Sequence, residues 1–226
     1  MNEIMRRRRG LMSRKGGDVP TPIPGEYQEV TWIASDGSGY IGTNLRLPKT
    51  ALQIAGTVEA TLDSRLRYFF ADRDSGGVRL GISVSDNKFT FFSGISADTE
   101  VLSVGTHNIE FTADITQPVQ SGTSTTEGEM SLTGKIDNLP FSDSVTGSIR
   151  AFGNNNIVLF NNAASLADNY KFYGKMISRL NVISSGSKYY EFVPCYRISD
   201  SVIGVYEAVT GAFFPCGGTF TKGADV

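Results

Sequence analysis

From Leu52 to Leu62 the chain alternates without a break: Leu52, Ile54, Gly56, Val58, Ala60 and Leu62 are separated by Gln53, Ala55, Thr57, Glu59 and Thr61. Successive strand side chains point to opposite faces, so a period of two sets one series against a core and the other toward water. No helix stripe can bury that pattern. A second alternating run sets Val78, Leu80, Ile82 and Val84 against Arg79, Gly81, Ser83 and Ser85, and Asp86-Asn87-Lys88 turns it into Phe89 to Phe92. The turn residues tolerate unusual backbone angles, which predicts a hairpin. Further strands are expected at His107 to Ala113, Met130 to Leu132, Ile149 to Phe152, Ile157 to Phe160, Tyr170 to Ile183 and Tyr189 to Pro194. Another follows over Val202 to Phe214, with a turn at Thr210-Gly211. Only Ala163 to Asp168 reads as briefly helical, and Gln120 to Gly128 reads as a Ser/Thr/Gly surface loop. Many short strands without helical crossovers predict an all-β fold, two antiparallel sheets packed face to face.

At 226 residues the chain is long for one domain, yet β-sandwiches reach this size around a single core. Pro20, Pro22 and Pro24, with Gly16, Gly17 and Gly25, interrupt regular structure and divide an arm, residues 1–24, from a body, residues 25–226. In the same expected sandwich, Val30, Trp32 and Ala34 read as one inward face. A hydrophobic content of 40% argues against disorder.

The net charge of −2 conceals a division. Arg6, Arg7, Arg8, Arg9, Arg14 and Lys15 stand against Glu3 alone in the first 15 residues, leaving 15 basic and 22 acidic residues for the rest. Such an arm is either solvated or ordered by docking on an acidic partner or nucleic acid. The body has no basic stripe with interleaved aromatics, so nucleic-acid binding by it is not expected. No apolar run of signal-peptide length follows the arginines, and no stretch approaches the roughly 18 apolar residues of a membrane-spanning helix, so membrane insertion is not expected. Cys195 and Cys216 flank an expected hairpin that could bring them close; reduced buried thiols are the preferred reading.

Catalytic chemistry finds few residues. His107 is the only histidine and begins an apolar-facing series, which suits a structural residue at a strand end better than a general base. Glycoside hydrolysis needs carboxylates fixed across a strand face. The closest approaches are Glu127-Gly128-Glu129 and Asp72-Arg73-Asp74, both read as solvated turns. No cofactor is required by any motif; calcium is the one metal considered, with Asp72 and Asp74 as oxygen ligands. Sugar recognition needs a ring face and a few amide or hydroxyl groups. Asn154, Asn155, Asn156 and Asn161, with Asn162 and Phe152 or Tyr170 nearby, are the candidate glycan contacts, against the plainer reading of asparagine runs as turns.

The two ends of the body carry a resemblance. G-E-Y-Q-E-V-T-W-I-A-S-D-G-S-G-Y-I-G-T at 25 to 43 is similar to the opening of concanavalin A-like (laminin-G-like) domains of phage and prophage structural proteins. F-V-P-C-Y-R at 192 to 197, V-I-G-V-Y-E at 202 to 207, T-G-A-F-F at 210 to 214 and G-T-F-T-K-G at 218 to 223 resemble that group's closing hairpins, and G-T-H-N-I-E-F at 105 to 111 and Y-K-F-Y-G-K-M at 170 to 176 its inner strands. Trp32, Gly39, Cys195 and Cys216 depart from the group's pattern. The resemblance implies a concanavalin A-like jelly roll. With the charge division it implies a virion structural protein, made in the bacterial host cytoplasm. In that reading Arg6 to Arg9, Arg14 and Lys15 dock onto other virion proteins of the head or tail fibre, and self-association, trimeric in a fibre, is compatible. A module that recognises a host-surface glycan is the alternative, and a glycan hydrolase ranks last.

Overall fold

The computed structural model describes residues 20–61, 66–74, 77–86, 88–92, 96–98, 105–115, 125–150, 153, 155–162 and 170–226. Among them there is no helix. The strands, in chain order, are β1 Tyr27–Glu29, β2 Trp32–Asp36, β3 Ile41–Arg46, β4 Leu52–Ala60, β5 Arg67–Asp74 and β6 Gly77–Ser85. There follow β7 Lys88–Phe92, β8 Ser96–Asp98, β9 Gly105–Ile115, β10 Thr125–Ile136, β11 Leu139–Arg150 and β12 Asn156–Leu159. The last are β13 Tyr173–Ser184, β14 Ser187–Arg197, β15 Val202–Glu207, β16 Ala212–Pro215 and β17 Phe220–Lys222.

Two sheets result, with every strand pairing antiparallel. The longer runs β11-β10-β9-β4-β13-β14-β15-β16, with β1 on β14, β2 on β13 and β17 on β2; the shorter runs β3-β12-β5-β6-β7-β8. This is the expected jelly-roll sandwich. Leu52, Ile54 and Val58 of β4 and Ile109, Phe111 and Ala113 of β9 face Leu80, Ile82, Val84, Phe89 and Phe91 of the shorter sheet in one buried cluster. Phe91 meets Phe111 at 5.0 Å and lies flat on Phe141 at 4.4 Å between ring centres. Each fully buried side chain of this kind contributes about 1.5–3 kcal/mol of transfer free energy.

The β6–β7 hairpin forms as expected, with Ser85 opposite Lys88 and Asp86 at φ +49°. His107 lies inside β9 and is buried, its ring edge against Phe89. Its Nδ1 donates to Asp137 in the β10–β11 turn at 2.7 Å, and Asp137 also accepts the Asn108 N–H at 2.8 Å. Burial pushes the Asp137 carboxyl up, but these two donors outweigh it and hold it below the usual range.

Several expectations are corrected. Residues 125–128 are strand rather than loop, paired with 147–150, and residues 120–124 lie outside the described set, as do 163–168. Trp32 and Ala34 do not continue the inward face of Val30; Ile33 and Ser35 turn inward instead. The phase is lost because the chain passes at Val30 and Thr31 from β14, the partner of β1, to β13, the partner of β2. Asp72 is no solvated turn residue: it sits within β5 with no exposed surface.

Cys195 and Cys216 are free thiols in strand β14 and just past β16, with β15 between those strands. Burial raises the Cys195 thiol to about 12 and the Cys216 thiol further, so neither is a ready nucleophile. Beside Cys195, Gly204 leaves room for the Phe213 ring. A Cβ there would stand 2.3 Å from the Phe214 carbonyl oxygen and 2.7 Å from that ring. Gly204→Ala is therefore expected to cost about 1–3 kcal/mol by overpacking, read as a fall in melting temperature of roughly 2–4 °C per kcal/mol.

Candidate functional site

The longer sheet forks on β13. Residues Tyr173–Ile177 pair with β2, and Leu180–Ser184 pair with β14, while β4 runs along the other side with a register shift between Ile177 and Asn181. Ser178 takes φ +58° at this bulge and donates its N–H to the Thr31 carbonyl at 3.2 Å. Gly56 of β4 accommodates it, since a Cβ there would stand 2.8 Å from the Leu180 side chain. A bulge re-aims side chains and opens the ladder, and here it separates β2 from β14.

Leu180 and Val182 enter the core, so Arg179, Asn181 and Ile183 project from the outer face. Arg179 spans the fork. Its Nε and Nη2 bond both oxygens of Glu29 in β1, at 3.0 and 2.6 Å; its Nη1 reaches Glu191 Oε1 at 3.2 Å and the Thr21 carbonyl at 2.7 Å. Lys188 donates to the same Glu191 oxygen at 3.2 Å. The Glu191 backbone N–H is fixed in turn by Glu207, a buried carboxylate that also accepts the N–H groups of Val209 and Thr210 and the Thr210 hydroxyl. The strand that presents Glu191 is thereby held to the β15–β16 turn.

Burial alone would raise the Glu191 carboxyl, but donors on Thr21, Lys188 and Arg179 outweigh it and leave it below the usual glutamate range. Burial would lower the Arg179 guanidinium, and Glu29 and Glu191 reverse that. Both shifts favour the charged forms of Glu191 and Arg179. The Glu191 side chain is only 2% exposed.

Pro20, Glu29, Ala55, Ser178, Arg179, Asn181, Ile183, Lys188 and Glu191 line a cleft of about 450 Å³ at the fork. Two acceptors in this lining, Glu191 Oε2 and Asn181 Oδ1, are buried without a hydrogen-bond partner. They belong to residues directly opposite in the β13–β14 ladder. Beyond the bulge the same face continues as a polar row. Lys175 is bonded to Glu59 at 2.8 Å and lies 5.1 Å over the half-buried Trp32 ring, and Thr57 is bonded to Asn108 at 2.9 Å.

The residues singled out in the sequence fall elsewhere. Arg6, Arg7, Arg8, Arg9, Arg14, Lys15, Asn154, Phe152 and the side chains of Asp74, Glu127 and Glu129 lie outside the described residues. Asn155 is half-buried and Asn156 exposed at the start of β12. Asn161 and Asn162 are interior: Asn161 Oδ1 accepts the Asn162 N–H at 2.9 Å, and Asn162 Oδ1 accepts from Arg73 at 3.0 Å. Asp72 accepts the Gly153 N–H inside the fold. The Asn161, Asn162 and Asp72 side chains are turned into the fold at the shorter sheet. Among the described residues no three His, Cys, Asp or Glu side chains gather as a metal site.

No family model and no curated protein sequence matches the chain. Solved structures do. A putative carbohydrate binding protein from Bacteroides ovatus superposes with a TM-score of 0.56 at 10% identity, covering 88% of this chain and 62% of that one. A native heptameric SAP-like pentraxin from Limulus polyphemus gives 0.51 at 11% identity, covering 87% and 95%. Domains LG4-5 of the mouse laminin α1 chain give 0.47 at 15% identity, covering 71% and 44%. The chain thus spans less than two thirds of the laminin and Bacteroides structures. At these identities the likeness to the Bacteroides and Limulus structures establishes the fold alone.

Proposed function

We propose that this sandwich is a lectin-like carbohydrate-binding module and that its saccharide sits at the β13 fork. The observation that carries the reading is the pair of buried acceptors without partners in the cleft wall, Glu191 Oε2 and Asn181 Oδ1. An unmade buried hydrogen bond costs about 1–3 kcal/mol, and a ligand rich in hydroxyl donors relieves that cost. Ala55, Ile183 and Pro20 supply apolar surface for the carbon face of a sugar ring, and the volume lies within the roughly 300–1,000 Å³ of small-molecule sites. The Bacteroides neighbour, a putative carbohydrate binding protein, fits this reading.

We read the module as binding without turnover. Glu191, held ionised by its cations, is poorly placed to act as a proton donor. A glycan array should show binding by the intact chain and a loss of roughly tenfold or more for Asn181→Leu; an array with no bound glycan would sink the proposal.

The charge division favours a second, compatible reading, in which the module belongs to a phage particle and Arg6 to Arg9, Arg14 and Lys15 dock it there. Its support is the sequence alone. Deleting residues 1–17 is expected to leave the urea midpoint of the body unchanged while abolishing incorporation into particles; normal incorporation would refute the docking role.

A further inference from the structure

Resting on the carbohydrate reading, we infer that the fork holds one end of a linear oligosaccharide, whose chain continues along the outer face of the longer sheet to Tyr173. Register is the first ground. Ala55 lines the cleft, and Thr57 and Glu59 follow it on the same outward face of β4, since Ile54 and Val58 between them enter the core. Asn108 of β9 stands beside Thr57, and Lys175 of β13 beside Glu59. Each step along one face of a strand spans two residues, or about 7 Å, so Glu59 stands about 14 Å beyond the cleft wall at Ala55. Tyr173 lies one step past Lys175 on β13. That length exceeds a single sugar ring and suits several in line.

The second ground is what the row offers along its middle. Lys175 bonds both oxygens of Glu59, at 2.9 and 2.8 Å, so these two charges are matched to each other on the face. The Thr57 hydroxyl donates to Asn108 Oδ1 at 2.9 Å, which leaves the N–H groups of the exposed Asn108 amide as donors and the Thr57 oxygen as an acceptor. Sugar hydroxyls both donate and accept. They meet either kind of group, and a surface of paired charges and small polar groups favours an uncharged, hydroxyl-rich chain over an ionic partner.

Tyr173 closes the row. Its side chain is 44% exposed and rests on the backbone at Gly37, where a Cβ would stand 3.7 Å from the Tyr173 Cβ and 3.9 Å from the ring. A ring seated on backbone and open to water gives an apolar surface on which the carbon face of a sugar stacks, with a polar tip at its end. Asp36, directly opposite in the ladder and exposed, adds a carboxylate beside it. The cleft supplies apolar surface and acceptors at one end, and Tyr173 with Asp36 repeats that pairing at the other.

The test is calorimetric titration of the full chain with the neutral methyl glycosides of glucose, galactose and mannose, and with linear tetrasaccharides of the same sugars. For at least one sugar the tetrasaccharide should bind tighter than its methyl glycoside by roughly tenfold or more, because linked rings add contacts within one binding event. Tyr173→Ala should remove most of that gain while leaving the methyl glycoside affinity and the urea midpoint unchanged, and Tyr173→Phe, which keeps the ring, should retain it. Asn181→Leu, at the cleft, should weaken both ligands. Tetrasaccharides that bind no tighter than the methyl glycosides, or a gain that survives Tyr173→Ala, would overturn the extended site and leave the carbohydrate reading intact. No binding by any saccharide would remove both.

Discussion

Arg179→Ala is expected to destabilise the domain by about 3–5 kcal/mol, read as a lower urea midpoint with an unchanged slope. The magnitude follows from what is left behind. Arg179 is 14% exposed and is the two-point partner of Glu29 and a partner of Glu191, whose side chain is almost completely enclosed. Removing the guanidinium takes a charged partner from two carboxylates at the fork, of which Glu191 keeps Lys188. The variant should also change the response to acid. The folded Glu191 carboxyl lies below its ordinary value of about 4.3, so on acidification the unfolded chain takes up the proton first. Its contribution is therefore complete above that value and lost as the pH falls through the lower folded one. Without Arg179 that depression shrinks, and the slope of stability against pH between about 5 and 3 should flatten. A change of less than about 1 kcal/mol would mean that the fork is held by something other than this clamp.

Phe160→Ala carries the other large effect, about 3–5 kcal/mol. Phe160 is fully buried, with ring centres 5.7 Å from Phe69, 5.9 Å from Phe172 and 5.1 Å from Phe220. It holds this place at φ +62°, a region that bulky residues avoid at a cost of roughly 1–3 kcal/mol. Its backbone is pinned on both sides, the N–H to the Phe69 carbonyl and the carbonyl to the Phe172 N–H, each at 2.8 Å. The ring's burial outweighs the strain. Phe160→Gly removes the ring but also the penalty, so it should be no less stable than Phe160→Ala; a glycine variant worse by more than about 1 kcal/mol would contradict the left-handed backbone.

The sheet architecture was legible in the sequence because it rests on periodicity. The alternation in 52–60 and 88–92 corresponds to β4 and β7 with the expected buried faces, while on β6 Leu80, Ile82 and Val84 are buried as expected but Arg79 and Ser83 of the opposite series are buried as well. Legibility fails where a strand changes partner: the alternation puts Trp32 inward, whereas nothing local marks the passage from β14 to β13 that turns it out. It failed more fully at the fork cleft, whose wall is assembled from β1, β4, β13 and β14. The one local sign was Glu191 within the run Tyr189 to Cys195, a charge that a buried strand retains only when paired. The asparagine cluster misled for the opposite reason. Asn161 and Asn162 look like surface turn residues, yet they spend their side chains on bonds inside the fold.

The most direct test of a saccharide site at the β13 fork is a titration of the isotopically labelled chain with the neutral methyl glycosides, followed through its backbone amide resonances. The account requires the largest shifts at Glu29, Ala55, 178–183 and 188–191, with the Asn155 to Asn162 region unmoved. Shifts concentrated at Asn155 to Asn162, or on the shorter sheet, with the fork silent would contradict it.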